Sequence, residues 1–221
     1  MPTLNLPETT EPALLPGFDE NVLEAVRKGE HALLQAKRTS AFESYSRIPN
    51  PEFRHEEYRR MNPDLFRFGQ FERLSIPDRS VPYQAAPEDS HYDLILTVSP
   101  EGYTVEDRNG ITRDEGIHVM PLSRAALEHT TLLEQSLGTA MVKEEQRKFL
   151  DLNGAFWNVG FFIYVHKRKE IPNGILIRYH NDREGSVLLP RLVVVAEQER
   201  GTRRRRMAGY AARAGGAGLL L

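Results

Sequence analysis

Between residues 149 and 165 the apolar pattern changes period, and that change sets most of what this chain can fold into. Phe149, Leu152 and Phe156 fall at i, i+3 and i+7, one face of a helix. After Gly160 the run Phe161-Phe162-Ile163-Tyr164-Val165 is apolar at every position and rich in aromatic and β-branched residues, the composition of a strand covered on both faces. Gly174 to Tyr179 and Val187 to Val195 hold two more such runs, with polar turns between them such as Asn181-Asp182-Arg183-Glu184-Gly185. A helix thus delivers the chain into short strands recurring about every 15 residues. That recurrence fits a buried or stacked sheet, and equally a β-solenoid in which each coil covers the last.

Upstream the text is helical. Pro2, Pro7, Pro12 and Pro16 among small and polar residues mark 1–17 as a disordered leader. Asp19 is placed to cap a helix whose stripe runs through Val22, Val26, Leu33, Leu34, Phe42, Tyr45 and Ile48. Gly29 is expected to break or kink it, and Pro49 and Pro51 to end it. Residues 54–60 read as one or two charged helical turns with Tyr58 packed inward. A connector follows to residue 90, anchored by Leu65, Phe66, Phe68, Phe71 and Leu74. Alternating Leu94, Leu96 and Val98 predict a strand, and Asn109-Gly110 predicts a hairpin turn. Ser123, and Thr131 with Glu134, are candidate helix caps. The domain reading is a leader (1–17), a helical region with connector (18–90), a small α/β segment (91–157), the start of a β core (158–198) and a basic tail (199–221).

Composition excludes several chemistries. The 221 residues contain no cysteine, so disulfides, thiolate zinc sites and thiolate-held clusters within the chain are ruled out. No Walker-type phosphate loop and no Gly-x-Ser-x-Gly elbow is present. No apolar run approaches the ~20 residues of a membrane span, and the first residues lack a signal-peptide pattern. The cytoplasm is the expected location. Residues 1–198 carry 23 Lys and Arg against 30 Asp and Glu, whereas 199–221 carry six Arg and one Glu. An acidic body thus precedes a basic tail.

Residues 149–165 resemble the start of the core in the SufB/SufD family of iron–sulfur cluster assembly proteins. The family's Phe, Leu-Asn-x-Ala-Phe, Gly and Tyr-Val pattern falls on Phe149, Leu152, Asn153, Ala155, Phe156, Gly160, Tyr164 and Val165. Arg191-Leu192-Val193-Val194-Val195 is similar to the strand that follows in the family. Phe18-Asp19-Glu20, Ile48-Pro49-Asn50-Pro51 and the motif Glu56, Glu57, Tyr58, Arg59 resemble the SufD-type N-terminal region, so the likeness spans roughly 18–198. Here His166-Lys167-Arg168 stands where the family usually has Pro-Lys-Gly. The resemblance implies an α+β fold with a mainly β core: a helical N-terminal region followed by the first coils of an incomplete right-handed parallel β-helix. It implies a non-enzymatic, SufD-like scaffold subunit with a SufB-like scaffold protein and a SufC-like ATPase as partners. No catalytic, cofactor-binding or metal residue is carried over, and an iron–sulfur cluster enters only through the assembled complex.

Two other readings stay open at this point. His166 and His180, near strand ends, could serve as ligands in a metal-dependent β-fold enzyme of cupin type. The run Arg203–Arg206 could bind RNA through phosphates, although the tail has no aromatic residue besides Tyr210 for stacking. The abrupt Arg/Ala/Gly text after Gln198 also has the look of out-of-frame reading, so the tail is expected to be non-native or disordered and the core truncated.

Overall fold

Asp19 opens the first helix as expected. Its carboxylate accepts from the Val22 N–H at 3.0 Å, satisfying one of the free amides of α1 (Glu20–Arg27). Gly29 takes a turn at φ +81°, a conformation side chains resist. It separates α1 from α2 (Ala32–Arg47), whose first amides meet the His31 ring. This computed structural model describes residues 14–50, 72–73, 75–113, 115–138, 147–197 and 219–220. The motif Glu56, Glu57, Tyr58 and Arg59, the anchors Leu65, Phe66, Phe68, Phe71 and Leu74, and the Arg203–Arg206 run lie outside the described residues.

The remaining elements come in blocks, strands, then helices, then strands again. β1 (Glu72–Arg73), β2 (Leu94–Ser99), β3 (Gly102–Asp107) and β4 (Ile117–Pro121) come first. The helices α3 (Leu122–Glu128), α4 (Thr130–Ser136) and α5 (Arg147–Phe156) follow. Then come β5 (Val159–Val165), β6 (Ile175–Tyr179), β7 (Ser186–Leu188), β8 (Pro190–Ala196) and β9 (Leu219–Leu220). The strands form three three-stranded sheets, ordered β1-β7-β9, β3-β2-β6 and β4-β5-β8. The architecture is therefore α+β.

The path from β5 to β8 is a circuit. β5, β6 and β7 each join a different sheet, and β8 returns to lie parallel to β5, with Val159 opposite Pro190 and Val165 opposite Ala196. Upstream strands underlie the same circuit: β2 is parallel to β6 and β1 is parallel to β7. β9 adds in parallel on β7, Val187 opposite Leu219.

Three clusters of buried side chains make the core. Phe161, with Val159, Leu94, Leu96, Val98, Tyr179 and Leu188, fills the space inside the circuit. Its neighbour Phe162 points the other way, to Met120, Leu122, Ala125, Ala126, Leu133 and Val193 beneath α3 and α4. β5 is thus covered on both faces, which is why its sequence is apolar without alternation. The third cluster joins Phe18, Leu23 and Tyr45 to Leu152, Ala155 and Phe156 of α5. The apolar face of α5 and that of β5 consequently feed different clusters, not one continuous face across Gly160.

Several local expectations shift. The hairpin is β2–β3, closed between Ser99 and Gly102, one turn earlier than the Asn109-Gly110 signal. The Asn109 amide instead donates to Asp93 at 2.5 Å, tying the end of β3 to the start of β2 within one sheet. The apolar run Val187–Val195 divides into β7 and β8, because the chain turns a corner at the buried Leu189 and changes sheet. Neither Ser123 nor Thr131 caps a helix: Pro121 and His129 hold those positions, and the Ser123 hydroxyl donates to Asp78 at 2.7 Å.

Candidate functional site

The residues singled out from sequence meet where α5 hands over to β5. Leu152, Ala155 and Phe156 are fully buried, and Phe149 packs half-buried beside them. Gly154 is small because α2 passes close by: a Cβ there would stand 2.9 Å from the Ala41 Cβ. Gly160 is small for a similar reason, since its Cβ would meet the Leu122 side chain at 2.4 Å and push α3 off the sheet. Tyr164 and Val165 lie at the far end of β5, opposite His118 and Ile117 of β4.

Asn153 and Arg191, widely separated in sequence, are brought together. The Asn153 amide donates to the Pro190 carbonyl at 3.1 Å and its oxygen accepts from the Arg191 guanidinium at 3.4 Å. The helix therefore fixes where β8 begins. Asn158 does the same for the corner before it. Its amide donates to the Val187 carbonyl at 2.9 Å, and its oxygen accepts from the Leu189 N–H at 2.7 Å. Two side-chain amides thus supply the hydrogen bonds that a strand partner would give, at the place where the chain leaves one sheet for another.

Three cations hold the helix ends beside this junction. Arg38, 1% exposed, donates to the Ala155 carbonyl at 2.9 Å, pairs with both Glu30 oxygens at 2.7 and 2.8 Å, and lies 3.6 Å from the Trp157 ring centroid. Arg73 donates to the carbonyls of Phe156 at 2.8 Å and Trp157 at 2.9 Å. Positive charge suits the free carbonyls at the end of α5. Burial lowers both guanidinium pKa values, and the neighbouring Arg38 charge adds to the effect on Arg73, which falls to about 10. Arg73 therefore stays charged near neutrality. At the end of α2, the Lys148 ammonium donates to the carbonyls of Tyr45 at 2.9 Å and Ile48 at 2.7 Å and sits over the Tyr45 ring. Burial brings its pKa down to about 8.

This arrangement aligns backbone. The cations face carbonyls, rings and Glu30. The open depression beside them is lined, among the described residues, by Asn21, Val22, Ala25, Val26 and Arg73. His166 and His180, the candidate ligands, follow strands of different sheets, after β5 and β6. His166 lies 3.7 Å from Glu197. Among the described residues no group of three or more His, Asp or Glu side chains is gathered to hold a metal ion. Also among them, no helix is long and apolar enough to cross a membrane.

Arg38, Arg73, Lys148 and Asn158 were not legible as site residues in the sequence. A charged residue reads as solvated, and nothing local tells that its partner is a carbonyl 83 to 117 positions away. Only Asn158, directly after the Leu-Asn-x-Ala-Phe block, had a nearby signal.

Comparison with known proteins places this geometry. The family described as "SufBD protein N-terminal region" matches residues 15–177, from before α1 into β6. The "Iron-sulfur cluster assembly protein SufD" of Bacillus subtilis (strain 168) is 28% identical over 85 residues. That stretch covers 38% of this chain and 20% of the relative, so the match spans about a fifth of the relative's length.

Proposed function

Since the chain belongs to the SufB/SufD family of iron–sulfur cluster assembly proteins, we propose that it acts as a SufD-like, non-enzymatic subunit of an assembly complex. In that role it is a scaffold partner, beside a SufB-like protein and a SufC-like ATPase in the cytoplasm. The observation that carries the reading is the family match over 15–177, which takes in the helices, the α5–β5 junction and the strand circuit as far as the start of β6. The chain has no cysteine, so thiolates for iron come from a partner and the cluster is cargo of the complex. The junction supports a carrying role: its charged groups are spent on fixing helix ends and a sheet corner.

The same premise extends to the fold. We infer that the circuit from β5 to β8 is a coil of a right-handed parallel β-helix. The parallel return of β8 onto β5 and the parallel stacking of β6 on β2 and β7 on β1 support it.

Anaerobic co-expression of the chain with a SufB-like and a SufC-like protein, followed by size-exclusion chromatography and iron analysis, tests the function. The expected result is co-elution with the SufB-like protein at fixed stoichiometry, and no iron on the isolated chain. Failure to associate with either partner, or iron held stoichiometrically by the chain alone, would overturn the proposal.

A further inference from the structure

A second group of side chains lies away from the junction, where α3 and α4 meet the outer face of the β4-β5-β8 sheet. His129 is the single residue between the two helices, ending α3 and starting α4. Its ring lies 4.7 Å from the His118 ring of β4 and stacks on Phe162 of β5 at 5.7 Å, centroid to centroid. His118 in turn stacks on Tyr164 at 5.7 Å with the planes 18° apart. The pair sits at the edge of the cluster in which Leu122, Ala125, Ala126 and Leu133 cover Met120, Phe162 and Val193.

We propose that the tilted His118–His129 ring pair, with each ring stacked on Tyr164 or Phe162, is a proton-operated latch. With both rings neutral it holds the α3–α4 joint on the sheet; protonation loosens the joint and uncovers the outer face of β4 and β5.

The neighbouring groups decide the sign. Glu128 and Arg124 of α3 lie near the pair, but they bond each other at 2.7 Å, so the carboxylate is shared with Arg124 and favours an imidazolium only in part. Tyr164 of β5 presents a ring, and its hydroxyl is engaged by Glu197 beyond β8, which also lies 3.7 Å from His166. At the far end of α4, Lys37 of α2 donates to the Glu134 carbonyl at 3.1 Å. The two helix ends at His129 oppose each other: a cation suits the end of α3 and disfavours the start of α4, so the dipoles nearly cancel. What remains is burial of His129 and the like charge that His118 would bring. Both lower the His129 pKa, with burial the larger cause, and Glu128 only partly offsets them. Because the folded state resists protonation, the stability held by the stack is present above pH 6.5 and is lost as pH falls below it.

The test uses the full chain. Histidine ring titration by NMR is combined with backbone hydrogen exchange, expressed as protection factors, between about pH 7.5 and about pH 5.5. The expected result is a His129 midpoint below that of an exposed histidine. α3–α4 amides should lose protection about tenfold at the same midpoint. His118→Phe keeps a ring in the stack without a second proton and should raise the His129 midpoint. His129→Phe should make α3–α4 protection independent of pH. Unchanged wild-type protection across the range, or the same loss in His129→Phe, would overturn the latch. If His129→Phe does not fold, the wild-type midpoints decide. Coincidence of ring titration and protection loss supports the proposal, and separation by more than about one pH unit refutes it.

Discussion

Phe156 is the residue whose removal tests the junction most directly. It is fully buried, and its ring meets three others edge-on, with centroids 5.2 Å from Phe18, 5.9 Å from Phe42 and 6.0 Å from Tyr45. Phe156→Ala returns about 2–3 kcal/mol of transfer free energy. It also leaves a cavity between α1, α2 and α5 that rigid ring neighbours fill poorly, taking the cost into the ~3–5 kcal/mol range for such sites. The three ring contacts are worth ~0.5–1.5 kcal/mol each beyond area. They share one side chain, so they argue for the upper half of that range, about 4–5 kcal/mol, and do not add in full. Phe149→Ala, half-buried on the same face, should cost roughly 1–2 kcal/mol. Urea unfolding measures both. With a slope of about 2 kcal/mol per molar, Phe156→Ala should move the midpoint down by about 2 M with the slope unchanged. A loss below about 1 kcal/mol would mean that the ring is exposed and the helix–strand junction misplaced.

Two further outcomes follow from buried polar groups. Asn158→Ala removes the partners of the Leu189 N–H and Val187 carbonyl at the sheet corner and should destabilise by about 2–4 kcal/mol in thermal unfolding; a loss below about 1 kcal/mol would show that the corner does not depend on the amide. Burial favours the neutral form of Asp89, but Arg178, Tyr83 and the Ala86 N–H prevail and hold its pKa at about 2 against 3.8, so about 2 kcal/mol of stability, present above pH 3.8, should disappear as pH falls toward 2. Asp89→Asn should lack that acid-dependent loss and be weaker near neutrality by roughly 2–4 kcal/mol, because Arg178 loses its buried charge partner and keeps only the exposed Glu88. Parallel pH profiles for the two proteins would contradict this account.

How far the sequence could be read follows the physics of each signal. The α5–β5 change of period was plain because Phe149, Leu152 and Phe156 share one helical face, while Phe161 and Phe162 bury opposite faces of β5. Asp19 and Gly29 were plain because capping and positive φ are local. The corner at Leu189 was hidden: the run from Val187 to Val195 is apolar throughout, and only tertiary contacts decide that it serves two sheets. The hairpin was displaced because Asn109-Gly110 is a stronger turn signal than the Pro100-Glu101 pair actually used. Arg38, Lys148 and Asp89 carry no local signal of burial, because charge is normally exposed. Asn153 was recognised through its motif, whereas its bond to the start of β8 belongs to the folded chain.

The parallel stacking of upstream strands under the circuit sets a timetable for synthesis. Leu94 must wait for Ile175, and Glu72 for Ser186. At about 5–20 residues per second, β2 leaves the ribosome roughly 4–16 s before β6 exists to pair with it. During that interval the apolar face of Leu94, Leu96 and Val98 has only the β3 hairpin for company, and the α1–α2 pair lacks α5. Pairings so distant along the chain also close slowly once all parts are present. The nascent protein thus passes through a window in which strand edges and a half-built helical core are open to other chains. Its yield in a cell is therefore governed by what shields it until residues 147–197 arrive.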